Sequence, residues 1–380
     1  MSSRQLPAHV RAWTVEPLSP AVITALERLA THPDVAHVAV MPDVHLAEDV
    51  CIGTVVATRS VLFPAAVGGD IGCGMAALAF DCEAELLSDP RSAAALLEAL
   101  GEAVPTLRHS GASGRALPAE LVSIPLSCDA LERVRAREGP AELGTLGRGN
   151  HFVELQTDSA GQLWLMVHTG SRALGQAIRD HHLQTGARQE GRLVALDAAS
   201  ERGQAYLCDL TWALAFADAN RAALVEAVAR TLQQLFDVHA DWSSLILCQH
   251  NHVRRETHFG EELWVHRKGA ISARPGELGI IPGSMGTSSV HTSGLGCPEA
   301  LMSSSHGAGR TMSRTEAQRQ ISTRRLQREL GGVWYDHRLA TRLRDEAPSA
   351  YKDLRRVMRA QSELTATVRA LRPVLSFKGA

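Results

Sequence analysis

Three short apolar runs in this chain lead to a histidine. Residues 163–167 (LWLMV) run straight into His168, and residues 244–248 (SLILC) reach His250 through Gln249. Residues 36–41 (AHVAVM) lead through Pro42-Asp43-Val44 to His45. A further histidine, His151, immediately precedes FVEL. Apolar runs of this length, bounded by turn residues, predict β-strands. Residues 75–80 (MAALAF), directly after a glycine cluster, predict another. Side chains at strand ends sit where a rigid scaffold meets a loop, which is where functional groups concentrate.

Helical spacing of Ala and Leu predicts a long helix over 206–238, and helices over 314–330 and 349–372. Segments 105–128 and 183–203 read as loops. The mixture is neither regular βαβ alternation nor all-β, and no period of 20–50 residues marks a repeat array. The expected fold is α+β, one large compact domain over 1–380 with mixed sheets and surrounding helices. With 380 residues, 45% apolar and 21% charged, the chain has ample material for a core and is not a disordered chain. No stretch of about 18 apolar residues predicts a membrane span. The first residues lack the apolar core of a secretory signal, so a cytoplasmic location is expected.

Basic and acidic residues nearly cancel, 39 against 41, so any nucleic-acid contact must come from a local patch. Lys268, Lys352 and Lys378 are the three lysines, against 36 arginines. None precedes Ser or Thr, which excludes a phosphate loop of the Gly-Lys-Ser/Thr kind. None lies in a Lys-x-Asp-Gly context, as lysine nucleotidylation would need. The seven cysteines are widely spaced and contain no C-x-x-C, which argues against a disulfide framework or a zinc ribbon.

Chemistry concentrates in a few segments. VGGDIGCG (67–74) sets Asp70 three residues before Cys73 among four glycines. A carboxylate and a thiolate together suit a divalent transition metal; a glycine-rich turn with a buried cysteine is the plainer alternative. With His151, His168 and His250 they make a donor set for one or two ions of Mn, Fe, Co or Zn rather than Mg or Ca. QHNH (249–252) adds His252 at strand spacing, but three contiguous letters do not make a nuclease. IIPGSMG (280–286) and SSHGAGR (304–310) are small-residue loops whose backbone N–H groups can cradle phosphate or a base. His306, followed by Gly-Ala-Gly and Arg310, is a candidate nucleophile toward phosphorus, with Arg310 and Arg314 to neutralise phosphate oxygens. Residues 310–344 hold nine arginines against Glu316, Glu329 and Asp336, either a phosphate-binding face or a solvated helix face. Sixteen aromatics in the whole chain favour backbone contacts over base stacking.

Read in order, MPDVH (41–45), PAAVGGDIGCGM (64–75), LGRGNHFVEL (146–155), VHTGSR (167–172), HFGEELWVHRKGAISA (258–273), GIIPGSMG (279–286), SHGAGRTMSRTEA (305–317) and FKG (377–379) resemble the RtcB family of RNA-splicing ligases. The resemblance implies joining of an RNA 3′-phosphate or 2′,3′-cyclic phosphate to a 5′-hydroxyl, with GTP and two Mn²⁺ ions per site. It implies that Cys73 bridges the two ions, with Asp70 and His151 on one, His168 and His250 on the other. His306 would take GMP from GTP. Asn150, His151, Phe152, Val153, Glu154, His250, Asn251, Pro282, Gly283, Ser284, Met285, Ser289, His306, Gly307, Ala308, Gly309 and Lys378 would hold the guanylate. RNA is then the partner, with an accessory activator protein as a further one. The chain differs from the usual family pattern at Leu46-Ala-Glu-Asp49, where glycines are common, and at Ser305, often Cys. The alternatives to a ligase are a metal-dependent phosphoesterase or nuclease on the same residues, and a non-catalytic RNA-binding protein.

Overall fold

The computed structural model describes residues 6–109, 114–185 and 193–379. The strands expected at 36–41, 75–80, 163–167 and 244–248 are present as Val35–His45, Gly74–Glu83, Gln162–Thr169 and Ala240–Gln249. The last three belong to a seven-stranded antiparallel sheet. Its order is Leu278–Ile281, Ser289–Gly294, Thr365–Lys378, Phe152–Thr157, Gln162–Thr169, Gly74–Glu83, Ala240–Gln249. The sheet curls until its two edge strands approach, with Cys248 Sγ 4.0 Å from the Ile280 carbonyl oxygen.

The period-two alternation of the strands sorts side chains between two faces. Leu78, Phe80, Val153, Leu155, Leu163 and Leu165 meet Leu224, Val228 and Leu232 of the helix Glu201–Phe236 in a core. Each fully buried leucine there contributes roughly 1.5–3 kcal/mol. The opposite, concave face carries Met75, Ala77, Trp164, Met166 and Ile280. His168 continues the Trp164–Met166 series onto that face. A five-stranded sheet lies beside it, in the order Val10–Ala12, Val35–His45, Ile52–Thr58, Glu261–Lys268, Asn251–His258.

Helix Glu201–Phe236 begins at Ser200, whose side chain accepts from Gly203 N, and ends at Asp237 in the left-handed conformation. Its buried polar residues tie down the loops around the site. Arg221 donates to the carbonyls of Gly72 at 2.6 Å and Thr169 at 3.0 Å. Asn220 accepts from the Gly144 and Thr145 amides and donates to Thr145 O. Gly74 is required where it stands, because a Cβ there would lie 2.3 Å from the Cys248 carbonyl oxygen. Arg221→Leu removes the donors from the Gly72 and Thr169 carbonyls and leaves Asp218 without its ion pair. It is expected to lower unfolding stability by about 3 kcal/mol, measured by urea denaturation.

Two helical expectations are corrected. Residues 349–372 hold the helix Leu354–Ala360, but Thr365–Lys378 is a strand. Hydrogen bonding on both sides, to Ser289–Gly294 and Phe152–Thr157, outweighs the local Ala/Leu spacing, and Thr365, Thr367 and Val368 favour the extended form. Residues 314–330 form two short helices, Arg314–Gln320 and Thr323–Glu329, parted at Ser322, which caps the second. Segment 105–128 is mostly irregular, with a short helix Ala119–Ser123, and residues 110–113 lie outside the described residues. Of 183–203, residues 186–192 lie outside them; the rest ends the helix Arg172–Thr185, adds the strand Leu196–Asp197 and begins the long helix. The helices Pro20–Ala30, Pro90–Ala103, Asp129–Glu142 and Arg172–Thr185 are additions to the sequence reading.

Candidate active site

Strand ends from the seven-stranded sheet bring the predicted metal donors together. Cys73 Sγ lies 3.5 Å from His151 Nε2 and 3.2 Å from His168 Nε2. Asp70 Oδ2 is 2.8 Å from His151 Nε2, and His250 Nε2 is 3.4 Å from His168 Nε2. All but Asp70 are buried. The turn that carries Asp70 and Cys73 is closed by Cys73 N donating to Asp70 O at 3.1 Å. Gly170 makes room for the carboxylate: a Cβ there would stand 2.3 Å from Asp70 Oδ1.

This donor set fits a transition-metal cation. His168 Nδ1 donates to the Asn150 carbonyl at 3.0 Å, so its Nε2 turns a lone pair toward Cys73 and His250. Burial holds His168 and His250 well below the usual imidazole range, so both are neutral donors. Burial and then Asp70 push the Cys73 thiol well above its ordinary value, which an adjacent cation would reverse. Burial raises the Asp70 carboxyl, but His151 overrides it and brings the group down to about 2. Among the described residues, Nδ1 of His151 and of His250 have no hydrogen-bond partner. Cys73, His151 and His168 place their ligand atoms within 4.8 Å of one another.

Beside this cluster a cavity of about 280 Å³ opens. Asn150, Phe152, Glu154, His168, His250, Pro282–Met285, Ser289, His306–Gly309 and Lys378 line it, with Lys378 Nζ 5.6 Å from the centre of the Phe152 ring. The two small-residue loops are joined by Ala308 N donating to Pro282 O at 3.1 Å. Most of the residues expected around a nucleotide are therefore in one place. His151, Val153 and Asn251 are the exceptions: His151 turns its ring to Asp70 and Cys73 instead. Val153 points into the helix-packed core, as strand alternation demands. Asn251 spends its amide on Asp70 O and the Gly269 amide, bracing the metal loop.

His306 sits 17% exposed by side chain, its ring centroid 4.7 Å from that of His250. Its Nδ1 donates to Asp43 Oδ2 at 2.7 Å, and its backbone N–H donates to the same oxygen at 3.2 Å. Asp43 is fully buried. Lys352 braces it from behind, donating to the carbonyls of Pro42 and Val44 at 2.9 and 3.0 Å. This leaves the Nε2 lone pair of His306 available as a nucleophile.

Arg310 and Arg314 also line the cavity, with Tyr351 and Glu346. Glu346 binds Arg314 at 2.6 Å, accepts from the Tyr351 hydroxyl at 2.9 Å, and pairs with Lys378. Burial raises its carboxyl, yet Lys378 and Arg314 hold it down at about 2. Burial pushes Glu154 up to about 8, against a hydrogen bond from Gln156. The sequence reading gives no role to Asp43, Glu346 or Tyr351. Only Asp43 left a signal, inside the MPDVH block.

Residues 25–379 match the family described as tRNA-splicing ligase RtcB. The RNA-splicing ligase RtcB of Escherichia coli strain K12 is 39% identical over 405 aligned residues, spanning 98% of both chains. The chain belongs to the RtcB family. The Mycobacterium tuberculosis RNA-splicing ligase RtcB is 30% identical, over 92% of this chain and 99% of that protein. The tRNA-splicing ligase RtcB of Pyrococcus furiosus is 32% identical over 66% of this chain and 31% of its own length. Membership in the RtcB family accords with the collinear motifs and the α+β fold. No helix among the described residues is long and apolar enough to cross a membrane.

Asp43→Asn tests the histidine's orientation. It keeps the volume but loses the carboxylate that fixes the His306 tautomer. If His306 is the nucleophile toward a nucleotide, the rate of its covalent labelling should fall by roughly 10²- to 10⁴-fold, by analogy with carboxylate-to-amide changes behind catalytic histidines. Single-turnover labelling at saturating nucleotide measures it; an unchanged rate would remove Asp43 from the machinery.

Proposed function

We propose that this chain is an RNA ligase that joins a 3′-phosphate or 2′,3′-cyclic phosphate end to a 5′-hydroxyl end, using GTP and a His306–GMP intermediate. One observation carries the reading. His306, oriented by Asp43, shares a single cavity with the two small-residue loops and stands against the metal-donor cluster. A braced histidine beside two small-residue loops and the metal donors supplies together the nucleophile and the phosphate-cradling N–H groups that nucleotidyl transfer requires.

Cys73, Asp70, His151, His168 and His250 would hold Mn²⁺, two ions per site on the family pattern, and the metal would supply Lewis-acid neutralisation of phosphate oxygens. His306 Nε2 attacks the α-phosphorus of GTP. An N–P bond forms, the bond to the bridging oxygen breaks, and pyrophosphate leaves with the electron pair. The Nδ1 proton stays on the ring, shared with Asp43. A cyclic phosphate end is first opened by water to the 3′-phosphate. An oxygen of the RNA 3′-phosphate then attacks the guanylate phosphorus, the N–P bond breaks, and the RNA carries a 3′-pp-guanosine end. The 5′-hydroxyl attacks the RNA phosphorus, the P–O bond to the guanylate breaks, and GMP leaves with the electron pair while the hydroxyl proton passes to water.

Phe152, Glu154, Ser289, Pro282–Met285, Gly307–Gly309 and Lys378 would hold the guanylate, and Arg310 and Arg314 would receive phosphate oxygens. Asn150, His151, Val153 and Asn251 would serve by backbone or by bracing. Labelled GTP with Mn²⁺ tests the proposal: a ligase retains GMP covalently, whereas a phosphoesterase or an RNA-binding protein retains none.

A further inference from the structure

The two short helices Arg314–Gln320 and Thr323–Glu329 divide the arginines of 310–344 into two populations. Arg310 and Arg314 face Asp345 and Glu346 in the cavity wall. Arg325 pairs with Glu329 at 2.7 Å and Arg338 with Asp336 at 2.8 Å. Arg344 donates to the Thr341 carbonyl at 2.9 Å. Arg319, Arg324 and Arg328 differ. All three are exposed, and none of their guanidinium groups has a hydrogen-bond or ion-pair partner among the described residues. Glu316 is the nearby acid on the first helix, and it accepts from Gln320 at 2.9 Å.

The inner sides of these helices explain where the outer sides lie. Ala317, Ile321, Leu326 and Leu330 pack on Met285, itself part of the cavity wall. The first helix starts at Arg314, on the cavity lining, and its axis carries Arg319 about 7.5 Å onward. Arg324 and Arg328, four residues apart, stack on one face of the second helix about 6 Å apart. Each free guanidinium offers a planar fork for phosphate, and the chain's net charge of −2 makes this local concentration distinctive.

Resting on the ligase reading, we infer that Arg319, Arg324 and Arg328 form a phosphate track that leads the backbone of single-stranded RNA away from the cavity mouth at Arg314. The track acts on RNA several nucleotides from the joined end and takes no part in nucleotide transfer to His306.

The test compares three proteins: wild type, the triple variant Arg319→Gln/Arg324→Gln/Arg328→Gln, and Arg338→Gln, which removes an arginine already neutralised. Binding of a 20-nucleotide RNA with a 3′-phosphate is measured against salt, and GMP uptake from GTP is measured in parallel. Each single-strand phosphate contact contributes about 0.7 to the slope of log K against log salt, so the triple variant should lose about 2. With lines meeting near 1 M, that is roughly 100-fold weaker binding at 0.1 M salt. GMP uptake should equal wild type, and Arg338→Gln should keep the wild-type slope. An unchanged slope in the triple variant, or an equal loss with Arg338→Gln, overturns the track. Failure of the wild-type chain itself to take up GMP overturns the ligase reading instead.

Discussion

His306→Ala will take up no GMP from GTP and will not seal RNA that ends in a 3′-phosphate, but it will still join RNA supplied with a 3′-pp-guanosine end. The asymmetry follows from where the histidine acts. On the proposed pathway its Nε2 is the nucleophile in the first transfer and the leaving group in the second, and it takes no part in the third. Competing nucleophiles are tied down. Lys378 lines the cavity but is paired with Glu346. Burial brings Lys268 down to about 8, which would favour attack, yet its Nζ donates to the Ala65 and Glu48 carbonyls at 3.1 and 3.3 Å and lies outside the cavity lining. Lys352 is spent on Pro42 and Val44. A phosphoramidate on histidine is acid-labile and comparatively stable to base, so the linkage can be identified directly. Covalent guanylate on the alanine variant, or GMP mapped by mass spectrometry to Lys378 or Lys268, would require a different nucleophile.

The legible part of this molecule was its strand ends. Apolar runs terminating at His168 and His250, and the turn around Asp70 and Cys73, place their donors by local geometry, because a strand fixes its side chains by period two. The loops at 280–286 and 304–310 were legible for a different reason: runs of small residues leave the backbone N–H groups open to a ligand. What escaped reading depends on long-range partners. Asp43 has its role only because a strand from the first fifty residues meets a loop 263 positions away. Residues 365–372 look helical until two neighbouring strands claim both edges of the strand Thr365–Lys378. Val153 shows the reverse failure: a contiguous motif suggested that every residue in it faces the ligand, and alternation sends every second one to the core. The nine arginines were legible as a count, but which of them are neutralised depends on the folded pairings: Arg325 with Glu329, Arg338 with Asp336, and Arg310 and Arg314 with Asp345 and Glu346 just beyond the segment.

Cys73→Ala will remove the thermal stabilisation that a divalent transition metal gives the wild-type chain, and with it RNA sealing. A metal that binds the folded state at 100 times its dissociation constant stabilises it by about 2.7 kcal/mol, a rise of several degrees in melting temperature. Losing the thiolate takes away the donor that lies within 3.5 Å of both His151 and His168. His151 and His168 would then lack the thiolate that completes their cluster of ligand atoms. The cost to the metal-free fold is small by comparison. Removing one buried sulfur costs on the order of 1 kcal/mol, and the turn itself is held by backbone bonds, with Cys73 N donating to Asp70 O at 3.1 Å and His250 N to Cys73 O at 2.8 Å. The comparison is therefore made by calorimetry on chelator-treated protein before and after Mn²⁺ is added. Wild type should rise, Cys73→Ala should not, and both should begin within a few degrees of each other. An alanine variant with the full wild-type rise would return Cys73 to the core thiols and leave the histidines to hold the metal alone.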